Sequence, residues 1–350
     1  MTGKKFARIT LILTAVLLAS VATVNILIDP LFQYHKPWFG MEPVITNERY
    51  QNAGVIKNFD FDNVILGTSL SENFLVSDVN DTFGGKSVKL TMSGSSTYNM
   101  TYQMELIKKR GLCPNIILCD MDPVLFESPT DTVKNPLPIY LYNDYFTDDV
   151  EYLFNFAILD DFTYPTVMLN FNGSVPDYNK VFVWSDEIKS TKELLLQRYT
   201  RLDIVTEQPD VDSYVERTRK NVELLTQYAE EMSDTTFVFF FAPIGMLYWD
   251  NQMRLNNISM QKAAYLESCR ILTSFDNVKL YMWTDDDMFD AMSNLDNYVD
   301  EAHYNGKISA EILRRIKMNQ GVITRDNYMA ETDKLFKFIE NFDYESLFLT

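Results

Sequence analysis

Asn63-Val64-Ile65-Leu66-Gly67-Thr68-Ser69-Leu70 is the stretch that decides the fold. A short apolar run halted by Gly-Thr-Ser reads as a strand buried on both faces, feeding a helix whose first turn wants a hydroxyl cap. Outward from it the rhythm repeats. Further strands are expected at 87–92, 115–119, 235–241 and 278–282, with helices from about 71, over 97–109, 211–231 and 259–272, and from about 307 and 330. Continuous apolar strands alternating with amphipathic helices imply an α/β domain whose parallel sheet is covered on both faces.

In such a sheet, ligands bind beyond the carboxyl ends of the strands. Ser69 falls at the end of the first strand and Ser93-Gly94-Ser95-Ser96 at the end of the second. Pro243 and Gly245, followed by Tyr248 and Trp249, end the fourth, and Asp300-Glu301-Ala302-His303 follows the fifth. A serine hydroxyl is a poor nucleophile unless a base takes its proton and a third group orients that base. The chain has two histidines, and His35 lies just past an apolar N-terminal segment, which leaves His303 as the available base. The expected roles are Ser69 as nucleophile, His303 as base and Asp300 as its orienting carboxylate. The amides of Ser69 and Gly94 are expected to receive an oxyanion. Each motif alone has a plainer reading, as a helix cap, a surface turn or core aromatics. Their convergence on one rim favours catalysis. Glu72 and Asn73, one turn beyond Ser69, are candidate pocket residues, as are Tyr248 and Trp249. Arg49, ahead of the first strand, is a candidate either to pair with Asp122 or to bind an anionic substrate group.

Composition narrows the partners. A formal charge of −18 over 350 residues argues against nucleic acid, which demands a basic stripe. No cysteine or histidine cluster has metal-ligand spacing, and no metal or other cofactor is expected. Cys113, Cys119 and Cys269 allow one disulfide at most, and the placement of Cys113 just before the third strand and Cys119 at its end favours buried free thiols. Lys4, Lys5 and Arg8 precede an uncharged run from Ile9 to Ile28, long enough to cross a bilayer as a helix with the N-terminus cytoplasmic. Ser20-Val21-Ala22 would suit a signal peptidase, but the apolar run continues past it, favouring an uncleaved anchor. The expected organisation is therefore an anchor over 1–28, an extended linker over 29–46 with three prolines, and one domain over 47–350. Residues 127–189, rich in Tyr, Phe, Asn, Asp and Pro, interrupt the alternation and read as an insertion of loops and short helices.

Gly67-Thr68-Ser69, Gly94 and Asp300-Glu301-Ala302-His303 together resemble the first, second and last motif blocks of the SGNH (GDSL-like) hydrolase superfamily, over about 62–317. That resemblance implies a flavodoxin-like three-layer sandwich, with Ser69, His303 and Asp300 as a triad and Gly94 as an oxyanion donor. One departure stands out. The family's third block supplies an oxyanion-donating asparagine, whereas the corresponding strand here ends Cys119-Asp120-Met121-Asp122-Pro123. A carboxylate facing an oxyanion repels it. Either the donor is absent, or Asp122 is turned away or protonated, or catalysis has been lost.

Asn47-Glu48-Arg49-Tyr50-Gln51-Asn52-Ala53-Gly54, Gly-Thr-Ser-x-x-Glu-Asn-Phe from Gly67 and the Pro243 to Trp249 segment are similar to a membrane-anchored, extracytoplasmic subgroup from Gram-positive bacteria. Relatives of that kind serve teichoic acid D-alanylation and the acetylation of alginate and other exopolysaccharides. The resemblance thus implies a serine esterase or O-acyltransferase acting on ester groups of a cell-envelope glycan, with a membrane-bound acyltransferase as a further partner. The alternative from a different class is an inactive glycan-binding or scaffold protein of an envelope acyltransferase system. The aromatics from Tyr140 to Tyr178 would suit sugar stacking in that case.

Overall fold

The sheet is built from six strands, β1 (Asn63–Leu66), β2 (Ser87–Lys89), β3 (Ile116–Met121), β4 (Thr236–Phe241), β5 (Val278–Tyr281) and β6 (Val322–Ile323), in the order β2-β1-β3-β4-β5-β6. In this computed structural model, which describes residues 3–349, β1 to β5 pair in parallel and β6 adds an antiparallel edge. Every residue of β1 is buried, as are the last five of β3 and of β4, so both faces of the sheet are covered. That is why these strands read as unbroken apolar runs rather than as alternating ones.

Two compact units divide the chain. The sheet unit comprises 61–136 and 179–350, and the other comprises residues up to 60 together with 137–178. In the sheet unit, helices Thr97–Lys109, Val211–Glu231, Ile258–Leu272 and Tyr328–Asn341 pack side by side as one group, and Val76–Phe83 packs against Gly306–Lys317. The expected helix from about 71 is two pieces, Ser69–Glu72 and Val76–Phe83, broken at Asn73, whose side chain is committed elsewhere. Helices Met246–Arg254 and Asp286–Ser293 and strand β6 were not foreseen. The second strand is shorter than expected, although Leu90 and Met92 still donate to the carbonyls of Ile65 and Gly67.

The other unit holds the helix Gly3–Ile28, with a mean hydropathy of 2.5, which is long and apolar enough to span a membrane. Its last turn is tied down through Asn25, whose amide donates to the carbonyls of Tyr152 and Leu153. The stretch 29–46 is not an extended linker. Leu31, Phe32 and Val44 are buried, Asp29 accepts the amides of Gln33, Tyr34 and His35, and Gln51 donates to the carbonyls of Pro30 and Val44. Its prolines shape a packed strap rather than a spacer. The insertion is also narrower than expected. Residues 137–178 form short helical pieces, with Tyr145, Phe146 and Phe171 exposed, whereas the flanks 127–136 and 179–189 belong to the sheet unit. There Lys134 is clamped by Asn99 and the Val181 carbonyl by Lys89. Cys119 and Cys269 are buried free thiols, but Cys113 is exposed, because it precedes β3 instead of entering it.

Candidate active site

Gly67 makes the turn after β1 at φ +135°, a conformation that L side chains avoid, and a Cβ there would lie 2.0 Å from Asp120 Oδ1. The two hydroxyls that follow divide the work. Thr68 caps the short helix, its Oγ1 accepting the Leu70 amide at 3.3 Å, which releases Ser69 from that duty. Ser69 is half-buried, and its Oγ lies 2.7 Å from His303 Nε2.

The loop bearing His303 is closed by its own hydrogen bonds. Tyr298 and Tyr304 form an isolated antiparallel bridge, and the Val299 amide donates to the His303 carbonyl at 2.9 Å. Inside it, Asp300 Oδ1 accepts the amides of Ala302 and His303 at 2.9 and 2.8 Å, while Oδ2 lies 2.7 Å from His303 Nδ1. Asp300 therefore both shapes the turn and orients the imidazole, so the same carboxylate serves the turn and the ring. Tyr304 then donates its buried hydroxyl to the Leu70 carbonyl at 2.7 Å, stapling the histidine loop to the serine turn.

Electrostatics favour a basic imidazole. Burial opposes charge on His303, but the Asp300 hydrogen bond and the charges of Asp300, Asp122 and Glu72 outweigh it and hold its pKa above the ordinary 6.5. Burial raises the Asp300 pKa, yet its hydrogen bonds with His303 and the Ala302 amide prevail and keep it low.

Gly94 follows β2 at φ +62°. The Met92 amide donates to the Gly67 carbonyl at 3.0 Å, which sets the two turns side by side. Among the described residues, the amides of Ser69 and Gly94 have no acceptor, leaving both N–H groups available. The Asn135 side chain, which sequence reasoning missed, donates to the Gly94 carbonyl at 3.0 Å and so holds this turn from the other side.

Other candidate residues take different places. Asn73 is buried and acts as a clamp rather than a pocket wall. Its Oδ1 accepts the amides of Trp184 and Ser185, which seats the Trp184 ring edge-on at 5.2 Å from His303. Glu72 is buried, gives its carbonyl to Lys89 Nζ and acts on His303 through its charge. Tyr248 contributes its amide, which donates to the Glu301 carbonyl at 3.2 Å. Trp249 is not a substrate platform, since it is 1% exposed and packs on Tyr265 and Phe336 in the core. Its helix turns one aromatic inward by the 3.6-residue period, which the bare Tyr-Trp pair does not reveal. Trp249→Ala is expected to cost about 3–5 kcal/mol in chemical denaturation, and a cost near zero would contradict this placement. Arg49 lies in the other unit, ion-paired with Glu48 at 2.7 Å.

Asp122 answers the question raised by the missing asparagine. Its Oδ1 caps the short helix Pro123–Phe126 through the Val124 amide at 2.9 Å, and its Oδ2 lies 3.0 Å from Thr68 Oγ1. The carboxylate is folded back onto the serine turn. A pocket of about 630 Å³ opens beside the Asp300–His303 loop, walled by Ile188, Leu195, Tyr199, Leu202 and Val299. Ser69 does not line it, so this space flanks His303 rather than Ser69. Asp250 braces its wall by accepting Tyr199 Oη and a two-pronged Arg201 contact at 2.8 and 3.0 Å.

Comparison of the chain with protein-family models and with curated proteins returned no match.

Proposed function

We propose that the protein is a membrane-anchored, extracytoplasmic serine esterase or O-acyltransferase of the SGNH type, acting on ester groups of a cell-envelope glycan. The single observation that carries this reading is the hydrogen-bonded series Ser69 Oγ, His303 Nε2, His303 Nδ1, Asp300 Oδ2, with both contacts at 2.7 Å. His303 takes the Ser69 proton as Oγ attacks the ester carbonyl. The amides of Ser69 and Gly94 receive the negative oxygen, and the imidazolium returns the proton to the departing alcohol. Water or a sugar hydroxyl, deprotonated by His303 in turn, then releases the acyl group from serine. The glycan as substrate and the outward orientation rest on the sequence resemblance and on the cations before the apolar helix.

The test is covalent labelling with a fluorophosphonate. Because 29–46 is packed, the full chain in detergent is the proper sample. Labelling that requires both Ser69 and His303 supports the proposal. A folded wild type that stays unlabelled favours the non-catalytic glycan-binding or scaffold reading, to which a carboxylate in place of the asparagine at the end of β3 lends support. Anchoring has its own expectation. The full chain is expected to stay with membranes through alkaline carbonate extraction, and release into the supernatant would count against an uncleaved anchor.

A further inference from the structure

Thr68 is approached by more carboxylate than one hydroxyl can serve. Its Oγ1 lies 3.0 Å from Asp120 Oδ2 and 3.0 Å from Asp122 Oδ2, and it also accepts the Leu70 amide. A threonine hydroxyl has one hydrogen and two lone pairs. With Leu70 on one lone pair, the hydrogen serves one carboxyl, and the other carboxyl faces a lone pair. If both were ionised, that second contact would be repulsive, in a place where Asp120 is fully buried and Asp122 is 9% exposed. One added proton removes the conflict, because the protonated carboxyl then donates to Thr68 and every donor finds an acceptor.

The surroundings choose its seat. Asp122 faces His303 and Lys134, both of which favour its ionised form, and it accepts the Val124 amide. Asp120 acts with Asp122, Cys119 and Tyr304, none of them cationic. Tyr214, Tyr248, Tyr265 and Tyr304 surround Asp122 as neutral phenols.

We propose that Asp120 and Asp122 share a single proton across Thr68, with Asp120 Oδ2 donating to Thr68 Oγ1 and Thr68 donating to an ionised Asp122. Asp120 Oδ1 still accepts the Thr68 amide at 2.9 Å and the Ser71 hydroxyl at 2.5 Å, so the pair grips both ends of the serine turn. Burial, and next the Asp122 charge, push the Asp120 carboxyl up to about 6, while burial also raises Asp122. The neutral link weakens as pH rises through that value, in the opposite sense to His303, which becomes a competent base only as it loses its proton. The proton count stands on hydrogen-bond geometry alone, whereas the positioning role of the pair rests on the reading of Ser69 as nucleophile.

Infrared spectroscopy of the full chain across pH 5 to 8 tests the proton directly. The expected result is a protonated-carboxyl carbonyl band with a midpoint near pH 6 that disappears in Asp120→Asn. It should survive in Asp122→Asn with a lower midpoint. Asp29 and Glu301, whose pKa values burial also raises, are left unchanged by both substitutions, so any signal of theirs cancels in wild-type-minus-variant difference spectra. A wild type lacking the Asp120 band, or a band lost from Asp122→Asn and kept in Asp120→Asn, overturns the assignment. A second readout is the pH profile of fluorophosphonate labelling. Asp122→Asn should move its acidic limb to lower pH, because the Asp122 charge no longer raises His303, and an unmoved limb would argue against the charge assigned to Asp122. A wild type that shows the band but never labels would defeat the esterase reading and leave the shared proton standing.

Discussion

His303→Ala is expected to slow labelling of Ser69 by at least about 10⁴-fold, the scale on which a serine loses its reactivity when its base is removed. No other imidazole is at hand, since His35 is engaged with the backbone carbonyls of Lys36 and Ile26. The same geometry sets the pH dependence. His303 accepts the serine proton only when neutral, and its pKa stands above 6.5, so labelling of the wild type should fall as pH drops through that raised value. Asp300→Asn removes the hydrogen bond and charge that outweigh burial. It should lower the plateau by roughly 10³- to 10⁴-fold and move the acidic limb to lower pH. Stopped-flow labelling over pH 5 to 9 reads both quantities. A His303→Ala protein that still labels within tenfold of wild type would end the triad proposal.

Gly67→Ala is expected to be strongly destabilising. The backbone term is roughly 1–2 kcal/mol for forcing an L residue into a positive φ. To it is added the displacement of Asp120, because the new Cβ would stand 2.0 Å from Oδ1 and 2.9 Å from Ser71 Oγ. Losing the hydrogen bonds of a buried carboxyl costs about 1–3 kcal/mol more, for a total of about 2–5 kcal/mol. Gly84→Ala is the control, since φ is +79° there and no atom lies within 4 Å of the added methyl. It should lose only the backbone term. Urea midpoints of the two variants decide the point, and near-equal losses would mean that Asp120 does not pack against the serine turn as described.

The pairing of Asp120 with Asp122 had a visible signal in the sequence. Residues at i and i+2 of a strand share a face, and two aspartates two apart at the end of an apolar run are an anomaly that requires partners. What hid the partners was distance along the chain, for Thr68 lies 52 residues before Asp120. Trp184 and Asn135 were hidden more completely. They belong to the aromatic, proline-rich flanks of 137–178, where no periodicity ties a residue to a face, and only the Asn73 clamp and the Gly94 carbonyl show where they sit.

By itself the sequence determined the alternation of buried strands and amphipathic helices, the placement of Ser69 and Gly94 just beyond strand ends and of His303 in the loop before a helix, and an N-terminal helix long and apolar enough for a bilayer. These are local properties, written in apolar periodicity and in turn residues. The tertiary structure alone decided that 29–46 packs instead of spanning, that Trp249 belongs to the core while Trp184 meets the histidine, and that Asp122 folds back onto Thr68. Each of these depends on contacts between residues far apart in the chain. Burial and hydrogen-bond satisfaction select such contacts only once the whole chain has closed on itself.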